Sequence, residues 1–313
     1  MKLSTLIERY VEHKRSLGMI FSTEDAILHS FARSMGEVDA EDVVPEAVCR
    51  FLDGKGPRTR FWLHKYEALD GFYRFALNRH HVSWSPLPRH KPEIPNDFTP
   101  YIYSVEDMKR LLAAVSACQE RPWRLQPHTF RTLLLLLYGT GLRISEAVGL
   151  KLSDFDINAR VLTIRATKFY KTRYVPVGDD IFQVLRDYIE RQWPARCINE
   201  STPLLSTRQQ QPVSRKQAER AFLRIRTAAG ICRPDSVKHG PRLHDFRHTF
   251  AVVRLLTWYR EGKDVQRLLP RLSTYLGHYT LQSTQRYLTM TPEVLHEANA
   301  RFERYAQPEV CHA

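Results

Sequence analysis

Three short segments of the sequence carry side chains that can bind and attack a phosphodiester. The first runs from Gly139 to Ala147 and reads Gly-Thr-Gly-Leu-Arg-Ile-Ser-Glu-Ala, with an arginine close to a predicted helix start. The guanidinium of Arg143 can hold two phosphate oxygens at once, and the backbone N–H groups of a helix start add positive potential. Glu146 lies three residues later on the same helical face and can orient this arginine. A simple surface ion pair is the alternative interpretation.

The second segment, Arg242 to Thr249, offers a histidine and an arginine on one side of a predicted helix. His244 and Arg247 are three residues apart, which makes them a donor pair suited to a phosphate. A metal site is the alternative, because His244 and His248 reproduce the zinc-protease pattern with aspartate in place of glutamate. The phosphate interpretation is favoured, because cationic Arg247 lies between the two histidines and aspartate is one methylene short for the usual base.

The third segment, Tyr275-Leu276-Gly277-His278-Tyr279, is followed closely by a further tyrosine, Tyr287. A tyrosine hydroxyl is a possible nucleophile, but its pKa near 10 means that it needs a base or strong electrostatic help. A histidine can supply that base. Taken alone, a tyrosine at this distance from a Gly-His pair is more often a core or surface residue.

Together the three segments resemble the signature of the tyrosine recombinases, also called the phage integrase family. The matching motifs are Gly-Leu-Arg-x-Ser-Glu, His-x-x-Arg-His-x-Phe-Ala, Leu-Gly-His and a downstream tyrosine, in that order. The resemblance covers essentially the whole chain. It implies that Arg143 and Arg247 bind the non-bridging phosphate oxygens. It also implies that Tyr287 is the nucleophile and that His244 and His278 assist.

The same resemblance implies a catalytic lysine in the turn of a β-hairpin. The corresponding turn, residues 167–172, holds Lys168 and Lys171, and counting back from Val175-Pro176-Val177 favours Lys168. The turn reads Thr-Lys-Phe-Tyr-Lys, where Gly-Lys-Gly-x-Lys is frequent in the family. A hairpin-turn cation without a catalytic role is the alternative for Lys168.

The chemistry implied by the resemblance needs neither a metal nor a cofactor. Arginines compensate the charge on a pentacoordinate phosphorus, and lysine protonates the departing 5′ oxygen. A 3′-phosphotyrosyl bond conserves the energy of the broken phosphodiester, so rejoining needs no ATP. We therefore predict a site-specific DNA recombinase of the integrase, transposon or resolution type. A type IB topoisomerase-like nicking-closing enzyme and a non-catalytic DNA-binding protein are the alternatives, and a pure binder has no reason to keep all these groups together.

Composition and charge agree with a DNA-binding enzyme. The formal net charge is +13, and 43% of the residues are hydrophobic. Residues 1–96 contribute only +1, and residues 1–49 are acidic, so a polyanion should meet the chain from residue 50 onward. Five widely spaced cysteines form no Cys-x-x-Cys pair, which argues against a zinc finger and a disulfide framework. The longest apolar run, Leu133 to Tyr138, is too short for a membrane span, so we expect a cytoplasmic protein with no membrane partner.

The chain is predicted to be mainly α with a small β-sheet and to contain two domains. Residues 1–84 form a helical bundle, which the resemblance identifies as a core-binding (SAM-like) DNA-binding domain. Residues 85–100 are a proline-rich linker, because proline at that density excludes a helix. Residues 101–313 form the α+β catalytic domain with a C-terminal helix. Basic residues that we expect to contact DNA concentrate on the last helix of the bundle, namely Arg58, Arg60, Lys65, Arg74 and Arg79.

Capping signals and periodicity place the elements of both domains. Capping boxes are predicted at Ser22 and Ser104, each opening a helix. Val161 to Arg165 and Arg173 to Val177 are predicted to form a β-hairpin. Pro270 predicts that the helix of residues 264–276 kinks or starts late. Further helices are expected near residues 3–17, 58–78, 127–139, 180–192, 214–229, 243–260 and 292–306, with a short helix after Pro45 and another that begins near Ile144.

The last predicted helix, residues 292–306, repeats apolar side chains at helical spacing just beyond Tyr287. It either packs on its own domain or, as the resemblance suggests, docks into a neighbouring protomer. The second arrangement predicts a homotetramer around two DNA sites that contain inverted repeats.

Overall fold

The computed structural model describes residues 1–19, 21–93, 99–117, 125–165, 172–193, 199–233, 240–289 and 291–306, the last six by their backbone. The described residues form two compact units, and the second begins at Thr99. The fold is mostly helical with one small antiparallel sheet, which confirms the predicted fold class. Within the described residues, no helix has the length and apolar character that a membrane crossing requires.

The first unit is a bundle of amphipathic helices that bury one apolar stripe each. Leu6, Phe31 and Leu69 are completely buried in their shared core. The predicted capping box at Ser22 is wrong, because Phe21 in left-handed conformation precedes the helix and no side chain caps it. The helices of this unit are α1 (Leu3–Ser16), α2 (Ser22–Met35), α3 (Pro45–Asp53) and α4 (Arg60–Asn78).

The second unit is built around helix α6 (Pro127–Thr140), whose Leu133, Leu134, Leu136 and Leu137 are completely buried. The predicted capping box at Ser104 is present: the hydroxyl of Ser104 accepts from the N–H of Asp107, and the Asp107 carboxylate accepts from the N–H of Ser104. The helices of this unit are α5 (Val105–Ala117), α6 (Pro127–Thr140), α7 (Ile144–Gly149), α8 (Asp179–Gln192), α9 (Arg215–Ala228), α10 (Asp245–Arg260), α11 (Val265–Leu276), α12 (Gln282–Gln285) and α13 (Pro292–Ala306).

The sheet contains the predicted hairpin and one additional strand. Strands β2 (Val161–Ile164) and β3 (Arg173–Pro176) pair antiparallel, each ending one residue before the predicted boundary. The short strand β1 (Phe155–Asp156), which the sequence did not predict, pairs with β2 to give the order β1-β2-β3. Alternation along β3 buries Arg173 and Val175 on the core side of the sheet.

Helix α11 begins at Val265, where the carboxylate of Asp264 accepts from the N–H of Arg267, and it contains Pro270. The prediction of a late start at the proline is therefore wrong. Helix α13 lies against α10 of its own unit, and Val294 is completely buried there. Leu295, its neighbour, is 48% exposed. In the single chain, this helix therefore packs on its own domain, which is the first of the two predicted arrangements.

Candidate active site

The turn between α6 and α7 places Arg143 at the mouth of the site. Gly141 ends α6 with a φ of 63°, and a Cβ there would lie 2.7 Å from the ring of Phe250. Arg143 is the N-cap residue of α7, and its own N–H donates to Oε2 of Glu146 over 2.9 Å. Its Nη1 donates to Oε1 of Glu146 over 2.8 Å, so the carboxylate orients the guanidinium as predicted. Nη2 donates to the carbonyl of Gly277 over 2.9 Å.

Arg247 on α10 holds two turns together from inside the protein. Its side chain is only 2% exposed. Nη1 donates to the carbonyl of Gly141 over 3.0 Å, and Nη2 donates to the carbonyl of Leu276. Burial, followed by the charge of Arg143, lowers the pKa of Arg247 to about 10, so the guanidinium is still charged at neutral pH. Its charge also acts on the nearby phenol of Tyr287 and favours the ionised form.

Tyr287 lies in a short 3₁₀ helix that follows α12, and it is 2% exposed. Its ring is nearly parallel to that of His278, with centroids 6.0 Å apart, and lies 5.6 Å from that of His248. Nδ1 of His278 lies 2.7 Å from Oγ1 of buried Thr284, which fixes the orientation of the imidazole. Two histidines and a buried arginine thus surround the tyrosine.

The electrostatics of this cluster keep its histidines neutral. Burial, and then the charge of Arg247, lower the pKa of His278 to about 3. Burial and the neighbouring His244 likewise lower the pKa of His248 to about 3. Burial raises the pKa of Tyr287, although Arg247 opposes this effect. Without DNA, the site therefore combines a protonated tyrosine with unprotonated imidazoles.

His244 precedes α10 and faces a basic cleft beside Arg143. Part of its surface is accessible to solvent, while the protein atoms around the imidazole and the charge of Arg247 move its pKa below the ordinary value. The rings of His244 and His248 are perpendicular, with centroids 5.0 Å apart. The cleft has a volume of about 630 Å³, and its lining includes the arginines Arg215, Arg226 and Arg242. In the described part of the chain, no group of three or more His, Cys, Asp or Glu side chains is placed to hold a metal ion.

Lys168 and its alternative Lys171 lie outside the described residues. Two of the five basic residues expected on the DNA-facing helix are engaged within the first unit. Arg58 pairs with Asp53 through Nε over 2.9 Å. The Nζ atom of Lys65 donates to the carbonyl of Phe51 over 2.6 Å. The other three side chains are exposed, namely Arg60, Arg74 and Arg79.

The sequence interpretation missed Arg173, Thr284 and a role for His248 at this site. Arg173 donates two hydrogen bonds to Glu146, from Nη1 over 2.9 Å and from Nη2 over 2.7 Å. A signal for it existed, since alternation along the predicted strand places this arginine on the same face as Val175. An arginine on the core face of a strand requires a buried partner.

Comparison with known proteins agrees with this geometry. The model of the phage integrase family matches residues 104–293. The integrase/recombinase y4rB of Sinorhizobium fredii is 36% identical over 302 residues, which cover 95% of this chain and 96% of the relative. The tyrosine recombinase XerA of Pyrococcus furiosus is 30% identical over 210 residues, covering 67% of this chain and 64% of the relative.

Solved structures of integrases share the fold. The Tn1549 transposon integrase in complex with transposon right end DNA gives a TM-score of 0.71 at 17% identity, covering 98% of this chain and 100% of that chain. A lambda integrase tetramer bound to a Holliday junction gives a TM-score of 0.64 at 17% identity, covering 90% and 78%.

The fold brings two arginines, three histidines and a buried tyrosine close together, an arrangement suited to phosphoryl transfer. The chain belongs to the phage integrase family, the tyrosine recombinases. It is a site-specific DNA recombinase, an enzyme that breaks and rejoins DNA strands.

Proposed function

We propose that this recombinase cleaves DNA through a 3′-phosphotyrosyl bond at Tyr287. The observation that carries the assignment is the placement of buried Tyr287 against the rings of His248 and His278, with centroids 5.6 and 6.0 Å away, next to the charge of Arg247. The phenolic oxygen attacks the scissile phosphorus, and the bond from phosphorus to the 5′ oxygen breaks. Attack by a 5′ hydroxyl on the phosphotyrosine reverses the step and rejoins the strand.

Arg143 and Arg247 bind the non-bridging oxygens in this scheme. The Arg143 side chain is 35% exposed, so it can reach a phosphate in the cleft, while Arg247 supports the same phosphate from the buried side. Both guanidiniums are already fixed by hydrogen bonds to backbone carbonyls. Fixed positive groups need no reorganisation when charge develops on the pentacoordinate phosphorus, and this preorganisation lowers the barrier.

Two proton transfers complete the step. His278 is unprotonated in the free protein, and the negative charge of the bound phosphate makes its imidazole more basic, so that it accepts the proton of Tyr287. His244, at the edge of the cleft, donates a hydrogen bond to a phosphate oxygen. Lys168 protonates the departing 5′ oxygen, and Lys171 is the alternative for this role.

The first unit acts as the core-binding domain, with residues 85–100 linking it to the catalytic domain. Its exposed arginines Arg60, Arg74 and Arg79 suit contacts with phosphates of double-stranded DNA. The DNA complex of the Tn1549 integrase supports this part of the proposal. Because its substrate is DNA, we place the enzyme in the cytoplasm, where it serves integration, transposition or resolution of mobile DNA.

The working assembly is a homotetramer on two specific sites, each with an inverted repeat. A two-fold symmetric site holds two protomers in equivalent positions, and two such sites make four. The tetramer of lambda integrase on a Holliday junction supports this arrangement. Exposed Leu295 on α13 gives neighbouring protomers an apolar contact beside the nucleophile.

A nicked suicide substrate tests the central assignment. The enzyme should become trapped on the 3′ phosphate, and peptide mapping should place the adduct on Tyr287. Tyr287→Phe should bind DNA without forming an adduct, whereas Tyr279→Phe, at a tyrosine that is 75% exposed, should react normally. An adduct on Tyr275, Tyr279 or Tyr170 would overturn the assignment.

A further inference from the structure

Arg173 uses both ends of its guanidinium to join two other segments of the second unit. It lies on β3 and is 9% exposed. Its two Nη atoms donate to the two carboxylate oxygens of Glu146 on α7. Its Nε donates to the carbonyl of Tyr275 over 2.9 Å. With its donors directed at these groups, Arg173 has a different task from an arginine that meets the substrate.

Glu146 is shared between Arg173 and Arg143. The same two carboxylate oxygens accept from the backbone N–H and from Nη1 of Arg143. Arg143 and Arg173 also hold carbonyls of one turn, those of Gly277 and Tyr275 respectively. His278 follows this turn directly. The position of Arg143 and that of His278 therefore both depend on the ion pair between Arg173 and Glu146.

Close packing at Gly277 leaves no room for a side chain beside the guanidinium of Arg173. Gly277 has a φ of 66°, and a Cβ there would lie 3.0 Å from Nη1 of Arg173. Burial by itself would raise the pKa of Glu146, but the hydrogen bonds and charge of Arg173, with help from Arg143, lower it to about 2. Glu146 is therefore ionised throughout the neutral range.

The charge of the cluster depends on Arg173. Arg143 and Glu146 alone would sum to zero, so the carboxylate would cancel the positive charge that the phosphate needs. Arg173 adds one positive charge and restores a net +1 to the group, while Arg247 supplies a second cation close by. Where charges are partly buried, one uncompensated charge changes the transition-state energy strongly.

We propose that Arg173 is a positioning residue for the recombination chemistry. Its hydrogen bonds hold Glu146 and the segment of residues 275–277 in place, so that Arg143 and His278 meet the scissile phosphate in reactive geometry. Its charge also balances that of Glu146, so that the charge of Arg143 remains available to the phosphate. This inference rests on the proposed function of Arg143 and Tyr287. If the wild-type enzyme forms no adduct at Tyr287, the proposed function is wrong. If the wild-type enzyme does form the adduct, the rates of the Arg173 variants test only the role of Arg173.

The test compares covalent adduct formation on two suicide substrates, one with the normal scissile phosphate and one with a methylphosphonate there. The methylphosphonate carries one negative charge fewer, so it needs less compensation by cations. Arg173→Gln should slow adduct formation on the phosphate about 100-fold and on the methylphosphonate about 10-fold or less. Site binding should change by less than about 3-fold, because the donors of Arg173 are used by Glu146 and Tyr275 and not by the substrate.

Adding Glu146→Gln to Arg173→Gln removes the carboxylate that would otherwise cancel the charge of Arg143, and it should recover about 10-fold of the rate. Arg173→Lys keeps the positive charge but loses the bidentate hydrogen bonds to Glu146. Its adduct formation should be slower than that of wild type on both substrates, with the ratio of the two rates unchanged from wild type. This variant also carries the test if the glutamine variant does not fold. Arg186→Gln, at an arginine 48% exposed on α8, serves as the control and should react normally.

Two results would overturn the proposal. One is an Arg173→Gln enzyme within about 3-fold of wild type on the phosphate substrate, since loss of a positioning contact is expected to exceed that factor. The other is an equal defect on both substrates with no recovery in the double variant, which would reduce Arg173 to a residue of the folded core.

Discussion

Nδ1 of His278 lies 2.7 Å from the hydroxyl oxygen of Thr284, a residue that is completely buried. This contact engages one imidazole nitrogen and leaves Nε2 as the nitrogen that can exchange a proton with Tyr287. The buried hydroxyl thus determines the orientation of the proposed base. Thr284 was not assigned a role from the sequence, and the contact leads to the first prediction.

Replacing Thr284 by valine removes the hydroxyl while conserving the shape of the side chain. Without its partner the His278 ring can rotate, and we expect the rate of adduct formation to fall about 10-fold, a fraction of what a general base contributes. Thr284→Ser retains the hydroxyl and should stay close to wild type. Single-turnover rates on a suicide substrate measure both, and an unchanged rate in the valine variant would contradict the role.

The buried imidazole of His248 should make stability dependent on pH. Its folded-state pKa is lowered to about 3, against about 6.5 in an unfolded chain. The unfolded state therefore binds the proton more tightly, and the stabilisation present above pH 6.5 is lost progressively down to about pH 3. Between pH 7 and pH 5 the loss from this residue is about 2 kcal/mol.

Urea unfolding of the full chain at both pH values measures this dependence. His248→Asn should lower the difference in unfolding free energy between pH 7 and pH 5 by about the same 2 kcal/mol. His90→Asn, at an exposed residue of the first unit, should leave it unchanged. Equal pH dependence in wild type and His248→Asn would show that the imidazole is not held neutral in the fold.

Cleavage should not require a divalent metal ion. Arg143 and Arg247 already supply positive charge on two sides of the proposed phosphate position, which is the work a metal performs in other phosphoryl-transfer enzymes. Adduct formation in EDTA should therefore match that in magnesium within about 2-fold. Activity lost in EDTA and restored by zinc would instead favour the metal interpretation of His244 and His248.

The exposed arginines of α4 and its C-cap should contribute to salt-dependent binding. Arg74→Ala combined with Arg79→Ala should lower the slope of log affinity against log salt concentration by about 2 if each arginine touches one phosphate. Lys65→Met is the matched control, because this lysine is occupied by the carbonyls of Phe51 and Leu52. It should lower thermal stability and leave the slope unchanged. An unchanged slope in the arginine pair would move the DNA contact to another surface.

Two neighbouring residues of α13 should separate folding from assembly. Val294 is completely buried on its own unit, so Val294→Ala should destabilise the chain by about 1 to 2 kcal/mol. Leu295 is 48% exposed, so Leu295→Asp should leave stability and single-site binding nearly unchanged but impair tetramer formation on DNA. Normal synapsis by the Leu295 variant in a gel-shift assay would argue against contact between protomers through this helix.

The sequence alone determined the helices and the hairpin, since local periodicity is written in neighbouring residues. The buried leucines of α6 and the alternation of β3 are examples. Motif order likewise selected the candidate residues of the site, because a family signature keeps residue types that share one chemistry. The misplaced cap at Ser22 and the extra strand β1 show that element ends depend on contacts a local pattern does not contain.

The tertiary structure decided which polar groups meet. Arg143 and Gly277 are 134 residues apart, and Arg173 and Tyr275 are 102 apart, so only the packing of α7, α11 and β3 brings each pair within hydrogen-bond distance. Tertiary packing also decides the partner of Lys65. The sequence predicts that this lysine contacts DNA, whereas in the structure it donates to the carbonyl of Phe51 on α3. The three-dimensional surroundings decide whether a charged side chain pairs with a buried partner or stays available to a ligand, because burying a charge without a partner is too unfavourable.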